Sequence, residues 1–521
     1  MARVTYTPLY NNLTSWPGRL FEVWSGSTFP VQTATNLTIV YPAGHPFAGF
    51  RMVCTGTGFT YSGTDVTGGT LSMVKILNGA GQTVLTIDSI PPGSLASDLA
   101  QLASSAAGWS DGQGGGTGPD GPLVWSQLLS GNDTINGTAG NDGRSLAGVN
   151  RGNDVFNMGA GDDWVAGGIG NDTINGGVGW DGLDYSNTSF NEGMTAFRGI
   201  AINMATGTVI DPWGGTDTFS SIEEVFGSRF NDSFVGSALR DRFVGLRGND
   251  TFNGGADKDT IDYSQDRWYG GQRGIVVDLQ TSVVGAAIHG TITDGFGNTD
   301  KTIDIERVIG TPFNDVFIGS TVDNVFWGGE GLDSFRGDLG ADRISFSRNF
   351  TGAAQVGVNV DLRLATGQVI NDGFGNTENA FFIEDVEGSD LNDRIFGNLN
   401  ANSLTGRDGA DTMFGGNGAD HFEWWDQSHF GDGDVINDFK SASANVVHDF
   451  LSFDHLGFAG MTTTVTLVNG TAATAAVGTF IFDTATDLLY WDSDGTGAAA
   501  QVAVCKLLGV GALAAADFDI Y

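Results

Sequence analysis

Apolar residues recur at intervals of nine along four blocks of the chain, and each follows an aspartate or asparagine by two positions. Glycine-rich turns precede them, as in the run GAGDDWVAGGIGNDTINGGVG that begins at Gly159. Glycine permits the positive φ angles of tight turns, and alternate strand residues point to opposite faces. Each nonapeptide therefore predicts a turn followed by a short strand with one inward apolar side chain. The apolar positions are Phe156, Val165, Ile174, Leu183, Phe234, Phe243, Phe252, Ile261, Phe317, Phe326, Phe335, Ile344, Ile395, Leu404, Met413 and Phe422.

Two successive nonapeptides would complete one coil of a parallel β-roll, so that residues eighteen apart share an edge. Stacked carboxylates repel one another at the low effective dielectric of a protein unless cations separate them. Ca²⁺ accepts about six to eight oxygen ligands in flexible geometry, whereas Mg²⁺ requires a strict octahedron. We therefore expect calcium between the members of eight pairs. These pairs are Asp154–Asp172, Asp163–Asp181, Asp232–Asp250, Asp241–Asp259, Asp315–Asp333, Asn324–Asp342, Asp393–Asp411 and Asn402–Asp420.

Fourteen of these sixteen positions are aspartate, and the other two are Asn324 and Asn402. Each asparagine removes a ligand charge, so two of the sites should be weaker. A further pair of candidate ligands, Asp133 and Asp142, precedes the first block. With one ion for each pair, the chain should bind about eight or more calcium ions. A metal-free β-solenoid would keep the apolar positions but would not require so regular a series of carboxylates.

Three spacers separate the blocks, and each contains an alternating apolar segment such as Ile200-Ala-Ile202-Asn-Met204. Two of them continue into the turn sequence Asp-Gly-Phe-Gly-Asn, so we expect β-hairpin inserts on the roll. A glutamate recurs near the end of each spacer, at Glu223, Glu306 and Glu384. These glutamates could cap a calcium site, but we favour the interpretation as edge charges, because edge strands commonly carry charges.

The two ends of the chain lack the nonapeptide. The N-terminal region alternates in hydrophobicity over short segments such as Leu37–Tyr41, which predicts strands, and one helix is expected near Ser94–Ala106. A segment rich in glycine and serine follows, which is typical of a linker. The predicted domains are a β-rich N-terminal domain at 1–110, a linker at 111–130, the β-roll at 131–430 and a C-terminal domain at 431–521.

Composition and charge support cation binding. The 521 residues include 81 glycines and 35 phenylalanines, and 61 acidic residues against 24 basic ones leave a net charge of -37. This charge argues against nucleic acid and anionic membrane surfaces as partners. No apolar run approaches the ~18 residues of a transmembrane segment. The N-terminus lacks a basic-then-apolar stretch, so a cleaved signal is not expected. Two cysteines, Cys54 and Cys505, do not make a disulfide framework.

The nonapeptides resemble the hemolysin-type calcium-binding repeats of RTX proteins, and the resemblance covers residues 130–521. It implies an all-β fold built on a parallel β-roll or solenoid. The run HFEWWDQSHFGDGDVINDF from His421 and the final Asp517–Tyr521 are similar to the C-terminal secretion domain of serralysin-type proteins. That similarity implies a secreted bacterial protein, extracellular or on the cell surface, with a type I secretion apparatus as partner.

Sequence motifs of common enzyme classes are absent. The chain has no H-E-x-x-H, no G-x-S-x-G and no Walker loop, and its six histidines lack zinc-ligand spacing. We therefore favour a non-enzymatic structural protein that self-assembles at the cell surface as an S-layer, matrix or filament through homo-oligomeric contacts. Two alternatives stay open. One is an adhesin that binds a cell-surface glycan through aromatic residues such as Trp16 and Trp24, and the other is a secreted hydrolase with an unrecognised site.

Overall fold

The computed structural model describes six strand backbones within residues 1–88 and then most of the chain from 134 onward. The described ranges are 3–6, 28–32, 36–40, 51–62, 65–77, 83–88, 134–136, 152–186, 196–284, 287–347, 356–444 and 447–521. The expected helix at Ser94–Ala106, the expected linker, Asp133, Asp142, Trp16 and Trp24 lie outside these ranges. The described residues form two compact units, Met1–Asp257 and Lys258–Tyr521. The domain boundaries expected from the sequence stay predictions.

The first unit is built from strands alone in its described residues. Its strands are β1 (Arg3–Tyr6), β2 (Thr28–Gln32), β3 (Asn36–Val40), β4 (Arg51–Ser62), β5 (Asp65–Leu77), β6 (Thr83–Asp88), β7 (Thr134–Asn136), β8 (Val155–Ala160), β9 (Trp164–Val165), β10 (Thr173–Val178), β11 (Gly182–Asp184), β12 (Ala201–Asn203), β13 (Thr208–Ile210), β14 (Thr216–Ser220), β15 (Glu224–Phe226), β16 (Ser233–Val235), β17 (Arg242–Val244) and β18 (Thr251–Asn253).

An N-terminal antiparallel sheet, β2 to β6, continues into the roll through β1, which is antiparallel to β6 and parallel to β7. In the roll, β7, β8 and β10 pair in parallel on one face, with Phe156 opposite Ile174. On the other face β9, β11, β15 and β17 pair in parallel, with Val165 opposite Leu183. Apolar residues eighteen apart are therefore stacked, which confirms the predicted parallel β-roll.

The first spacer forms an antiparallel meander of β12, β13 and β14. Its last strand, β14, pairs in parallel with β10, and its first strand, β12, pairs in parallel with β16. The predicted hairpin is therefore present, but a third strand extends it and the meander is inserted within the sheet. On the opposite face β15, which follows the spacer, pairs in parallel with β11, which precedes it. This pairing places the end of the spacer beside the last coil of the preceding block.

The second unit continues the same architecture. Its elements are β19 (Thr260–Asp262), helix α1 (Asp266–Tyr269), β20 (Val276–Val284), β21 (Ala287–Thr293), β22 (Thr299–Ile303), β23 (Arg307–Ile309), β24 (Val316–Ile318), β25 (Val325–Trp327), β26 (Ser334–Arg336), β27 (Arg343–Ser345), β28 (Asn359–Asp361), β29 (Val369–Asn371), β30 (Asn379–Phe381), β31 (Asp385–Glu387), β32 (Arg394–Phe396), β33 (Ser403–Thr405), β34 (Thr412–Phe414), β35 (His421–Trp424), β36 (Val435–Ile436), β37 (Phe450–Phe453), β38 (Leu467–Asn469), β39 (Thr479–Asp483), β40 (Leu488–Asp492), β41 (Val502–Leu507) and β42 (Phe518–Ile520), with 3-10 helices at Gln427–His429, His455–Gly457 and Ala515–Asp517.

One face of this unit is a parallel ladder of β19, β23, β25, β27, β31, β33, β35, β37 and β42. On the other face β24 pairs in parallel with β20 and β26, and β26 pairs in parallel with β30. The second spacer is the meander β20 to β22, and the third comprises β28 to β30. The roll extends into the C-terminal region, where β36 pairs with both β34 and β41.

The core consists of the apolar nonapeptide positions. All sixteen are buried, as the periodicity predicts. The phenylalanines stack along the roll axis, with ring centroids 4.8 Å apart for Phe234 and Phe252 and 5.1 Å apart for Phe317 and Phe335. Aromatic stacks of this kind add to the stability that burial alone provides. Where the structure describes the chain, no helix has the length and apolar character needed to cross a membrane.

Candidate metal centres

The nonapeptide aspartates of the first unit are joined across successive coils by a repeated hydrogen bond. The backbone N–H of Asp154 donates to Oδ1 of Asp172 at 2.7 Å, and that of Asp163 donates to Oδ1 of Asp181 at 2.8 Å. The N–H of Asp232 donates to Asp250 in the same way at 2.8 Å. The carboxylates of adjacent coils therefore form columns along the edges of the roll.

The second unit repeats this hydrogen bond at all four of its predicted pairs. The donor–acceptor distances lie between 2.7 and 3.0 Å. The pairs are Asp315–Asp333, Asn324–Asp342, Asp393–Asp411 and Asn402–Asp420. Of the remaining predicted pair, Asp241 belongs to the first unit and Asp259 to the second, so each is described within its own unit.

Six of the sixteen candidate positions lie in turns that already satisfy the carboxylate or amide oxygen, and we call these the sealed turns. Asp232 is typical: its Oδ2 accepts the N–H of Ser228 at 2.7 Å and its Oδ1 accepts the Ser228 hydroxyl at 2.8 Å. In every sealed turn the N–H four residues earlier donates to the side-chain oxygen, at 2.6 to 2.7 Å. The sealed positions are Asp232, Asp241, Asp315, Asn324, Asp393 and Asn402.

Nine other candidate positions lie in turns with a different backbone, and we call these the open turns. The residue four before the aspartate has a positive φ in each, which is costly for Leu246, Asp338 and Arg407 because they carry a Cβ. These left-handed residues are Gly159, Gly168, Gly177, Leu246, Gly255, Gly329, Asp338, Arg407 and Gly416. The open positions are Asp163, Asp172, Asp181, Asp250, Asp259, Asp333, Asp342, Asp411 and Asp420.

In six open turns the second carboxylate oxygen is buried and has no hydrogen-bond partner. These atoms are Oδ2 of Asp172, Asp181, Asp333, Asp342, Asp411 and Asp420. A buried carboxylate oxygen without a partner is costly, so the site fits a cation that would bind it. Glycine is required beside it: a Cβ at Gly406 would overlap Oδ2 of Asp411. The residue four before Asp154 lies outside the described ranges, so Asp154 is not assigned to either class.

Burial raises the pKa of aspartates in both classes of turn, and the highest values belong to open turns. Burial, reinforced by neighbouring carboxylates, raises the pKa of Asp172 to about 9 and that of Asp333 to about 10. Burial raises the pKa of Asp232 and Asp393 only to about 7, because hydrogen bonds from Ser228 and Ser389 stabilise their charged forms. The nonapeptide carboxylates with the most strongly raised pKa therefore lie in open turns, whereas the pKa of the open Asp342 is raised only to about 7.

The recurring spacer glutamates occupy the position of a next-coil aspartate. The N–H of Asp181 donates to Oε2 of Glu223 at 2.8 Å, and that of Asp342 donates to Oε2 of Glu384 at 3.2 Å. Glu306 accepts the N–H of Asp259 at 3.1 Å. This geometry supports the capping interpretation over the favoured one of a simple edge charge.

Two aspartates of the C-terminal region extend the columns, and the nonapeptide spacing did not identify them. The N–H of Asp411 donates to Oδ1 of Asp434 at 3.1 Å, and that of Asp420 donates to Oδ1 of Asp449 at 3.2 Å. Asp434 lies 23 residues after its partner and Asp449 lies 29 after its own, so a search at intervals of eighteen misses both. Asp434 precedes the buried Ile436 by two positions, which is the signal that could have found it.

A sequence signal also separates the two turn classes. In the open turns glycine stands two residues before the aspartate, except for Asp257 before Asp259. In the sealed turns that position holds phenylalanine, leucine, valine or asparagine, and Ser, Thr or Asn stands four residues before.

Among the described residues, no three His, Cys, Asp or Glu side chains converge as a metal cluster. Backbone carbonyls would therefore have to supply most of the ligands of any ion.

A family model of the RTX calcium-binding nonapeptide repeat, with four copies, matches five segments of the chain. The matched residues are 129–142, 158–186, 235–267, 309–344 and 387–422. These segments include all nine open turns, and the chain therefore contains calcium-binding repeats of the RTX type. No curated protein matches the chain.

Proposed function

We propose that this RTX-type chain is a secreted structural protein that folds when calcium fills its roll and then assembles at a cell surface. One observation carries the proposal: the open turns bury carboxylate oxygens, such as Oδ2 of Asp342 and Asp420, that have no hydrogen-bond partner. Calcium prefers oxygen ligands, and carboxylates with backbone carbonyls are ligands of this kind. The RTX match over the same turns supports calcium as the ion.

The distribution of arginine supports a metal over internal ion pairs. On the strand faces, carboxylates are paired with arginine, as in Arg242–Glu224 at 3.3 Å and Arg343–Glu423 at 3.0 Å. At the open turns the charged neighbours that raise the pKa of Asp172 are Asp217, Asp154 and Asp211, all of them acidic. Arginine thus neutralises carboxylates on the faces of the roll, and a bound cation would neutralise the carboxylates of the open turns.

Calcium availability would make folding depend on the compartment. Where calcium is scarce, repulsion among the acidic side chains of a chain with a net charge of -37 would keep it in an extended form suited to export. Outside the cell, sites with Kd values of roughly 10⁻⁴–10⁻³ M would fill. The binding free energy then becomes folding free energy, because the sites do not exist in the unfolded chain.

Exposed aromatic residues on the spacers support an assembly role. Phe197, Trp268 and Phe382 belong to the three spacers, and each exposes more than half of its side-chain surface. Large exposed apolar groups commonly mark interaction surfaces. Surface contacts between copies would then be made by spacers, while the roll supplies a rigid support.

Electron microscopy of the purified chain at millimolar calcium, with and without a chelator, tests this function. We expect ordered assemblies with calcium and none without it. A triple variant, Phe197→Ser, Trp268→Ser and Phe382→Ser, should stay monomeric while it retains the calcium-bound circular dichroism spectrum. If the unaltered chain stays monomeric at millimolar calcium, the assembly role is wrong. If it binds no calcium, the whole proposal is wrong.

A further inference from the structure

The first spacer ends in a segment that copies the hydrogen bonds of a nonapeptide. The N–H of Asp172 donates to Oδ1 of Asp217 at 2.9 Å, just as the N–H of Asp154 donates to Asp172. The N–H of Thr218 donates to the carbonyl of Asp172 at 2.8 Å, as that of Thr173 does to the carbonyl of Asp154 at 2.7 Å. Asp217 therefore occupies the position of the next aspartate in the column.

The turns of this spacer and of the roll also stack on one another. The N–H of Asn171 donates to Oδ1 of Asn153 at 2.9 Å, and the N–H of Thr216 donates to Oδ1 of Asn171 at 2.7 Å. A Cβ at Gly215 would overlap the carbonyl oxygen of Gly170, so glycine is required for this close approach. The spacer sequence Gly-Thr-Asp thus reproduces the Gly-Asn-Asp turn one coil earlier.

The third spacer repeats the arrangement with a glutamate. The N–H of Asp333 donates to Oε1 of Glu378 at 3.0 Å, and the N–H of Asp315 donates to Oδ1 of Asp333 at 2.8 Å. Strand β30, which follows Glu378, pairs with β26 in the parallel register that β26 has with β24. Two spacers with different sequences therefore place an acid at the same point of the column.

Both junctions contain buried carboxylate oxygens that no protein group satisfies. Oδ2 of Asp172 and Oδ2 of Asp333 have no hydrogen-bond partner, and these residues are 1% and 4% exposed. Beside the first junction, Asp211 is fully buried and its Oδ2 also has no hydrogen-bond partner. Backbone turns and hydrogen bonds explain the position of these acids but leave their second oxygens without compensation.

We propose that the spacers complete calcium sites at the ends of the nonapeptide blocks, with Asp172 and Asp217 binding one ion and Asp333 and Glu378 binding another. Each ion would take one oxygen from the roll aspartate, one from the spacer acid and the rest from backbone carbonyls of the stacked turns. The inference rests on the proposed calcium-dependent function and adds ligands outside the nonapeptides. The spacer acids then extend the column of carboxylates, and its calcium sites, beyond the nonapeptide block.

The sequence of the spacer turns agrees with a ligand role. The three spacers read DPWGGTD, DGFGNTD and DGFGNTE, so the last position carries an acid in each. An asparagine can accept an N–H, as Asn324 and Asn402 do in the sealed turns. Asp217 accepts the Asp172 N–H at Oδ1 and the Tyr185 hydroxyl at Oδ2, at 3.0 Å. A negative charge at the spacer position strengthens the binding of a divalent ion.

Calcium counting with neutral isosteres tests the inference. The full-length chain and its variants Asp217→Asn and Glu378→Gln are equilibrated with CaCl₂ alone, and bound calcium is measured by native mass spectrometry over a range of free calcium. Asn and Gln keep the acceptor for the backbone N–H of the preceding coil, so the fold should persist at ~10 mM calcium. We expect each variant to weaken one ion on the order of tenfold. Glu378→Asp should retain the ion, and Glu330→Gln, in the same turn as Asp333, should match the unaltered chain.

Binding curves of Asp217→Asn and Glu378→Gln identical to that of the unaltered chain would overturn the inference. A chain that binds no calcium at all would instead overturn the proposed function. Should a variant not fold, the calcium-bound structure of the unaltered chain decides. An ion within about 2.3–2.6 Å of both Asp333 and Glu378 supports the inference. If no ion lies between Asp333 and Glu378 while the other open turns contain calcium, the inference is refuted.

Discussion

Removal of calcium should unfold the second unit, because the four open turns that lie wholly within it contribute a large part of its stability. Those turns end in Asp333, Asp342, Asp411 and Asp420. At ~10 mM calcium and a Kd of roughly 10⁻⁴–10⁻³ M, each filled site stabilises the fold by about 1.4–2.7 kcal/mol. Four sites then contribute about 6–11 kcal/mol. The total stability of a domain is about 5–15 kcal/mol, so loss of the ions is sufficient to unfold it.

Far-UV circular dichroism and differential scanning calorimetry check this expectation. Addition of a calcium chelator should abolish the β signal and the thermal transition, and excess CaCl₂ should restore both. MgCl₂ at the same concentration serves as the control and should restore little, because the sites lack octahedral geometry. A spectrum and a melting temperature that do not change below micromolar free calcium would refute the argument that the open carboxylates need cations.

Three further outcomes are expected. Phe317→Ala removes a buried ring that stacks on Phe335, and it should lower the free energy of unfolding in calcium by about 3–5 kcal/mol. Leu399→Ala, at an exposed side chain, should change the free energy of unfolding little. Equal denaturation midpoints for the two variants would contradict this expectation. Without calcium, lowering the pH from about 8 to about 5 should restore part of the β signal in the far-UV circular dichroism spectrum. Burial raises the folded-state pKa of Asp333 from 3.8 to about 10, so its contribution to stability is complete below the unfolded-state pKa and is lost as the pH rises through the folded-state pKa; a β signal that is weaker at about pH 5 than at about pH 8 would refute this. Arg343→Met removes the guanidinium that lies 3.0 Å from Glu423 and 3.8 Å from Asp385, and should cost about 2–3 kcal/mol in urea unfolding. The double variant with Glu423→Leu should recover part of that cost, since Asp385 still lacks its cation; no recovery would argue against the ion pair as the cause.

The position of the roll and its core were predictable because both depend on local periodicity. A nonapeptide with one apolar residue can bury that residue only by stacking on its neighbour, so the spacing alone predicts the buried positions from Phe156 to Phe422. The same periodicity predicts that Asp315 and Asp333 lie on adjacent coils, and their backbone-to-carboxylate hydrogen bond agrees.

The all-β class, the coil of eighteen residues and the columns of acidic side chains were predictable from local sequence, because each follows from residues close together along the chain. The tertiary structure showed what the turns do with the carboxylates: Oδ2 of Asp411 has no hydrogen-bond partner, whereas the Ser389 hydroxyl and N–H satisfy Asp393. The residues two and four positions before each aspartate mark the same two classes in the sequence. Tertiary structure also brought Glu378 to Asp333 across 45 residues. No fixed spacing encodes that contact, because the length of a spacer can vary while its last strand still pairs with the preceding coil.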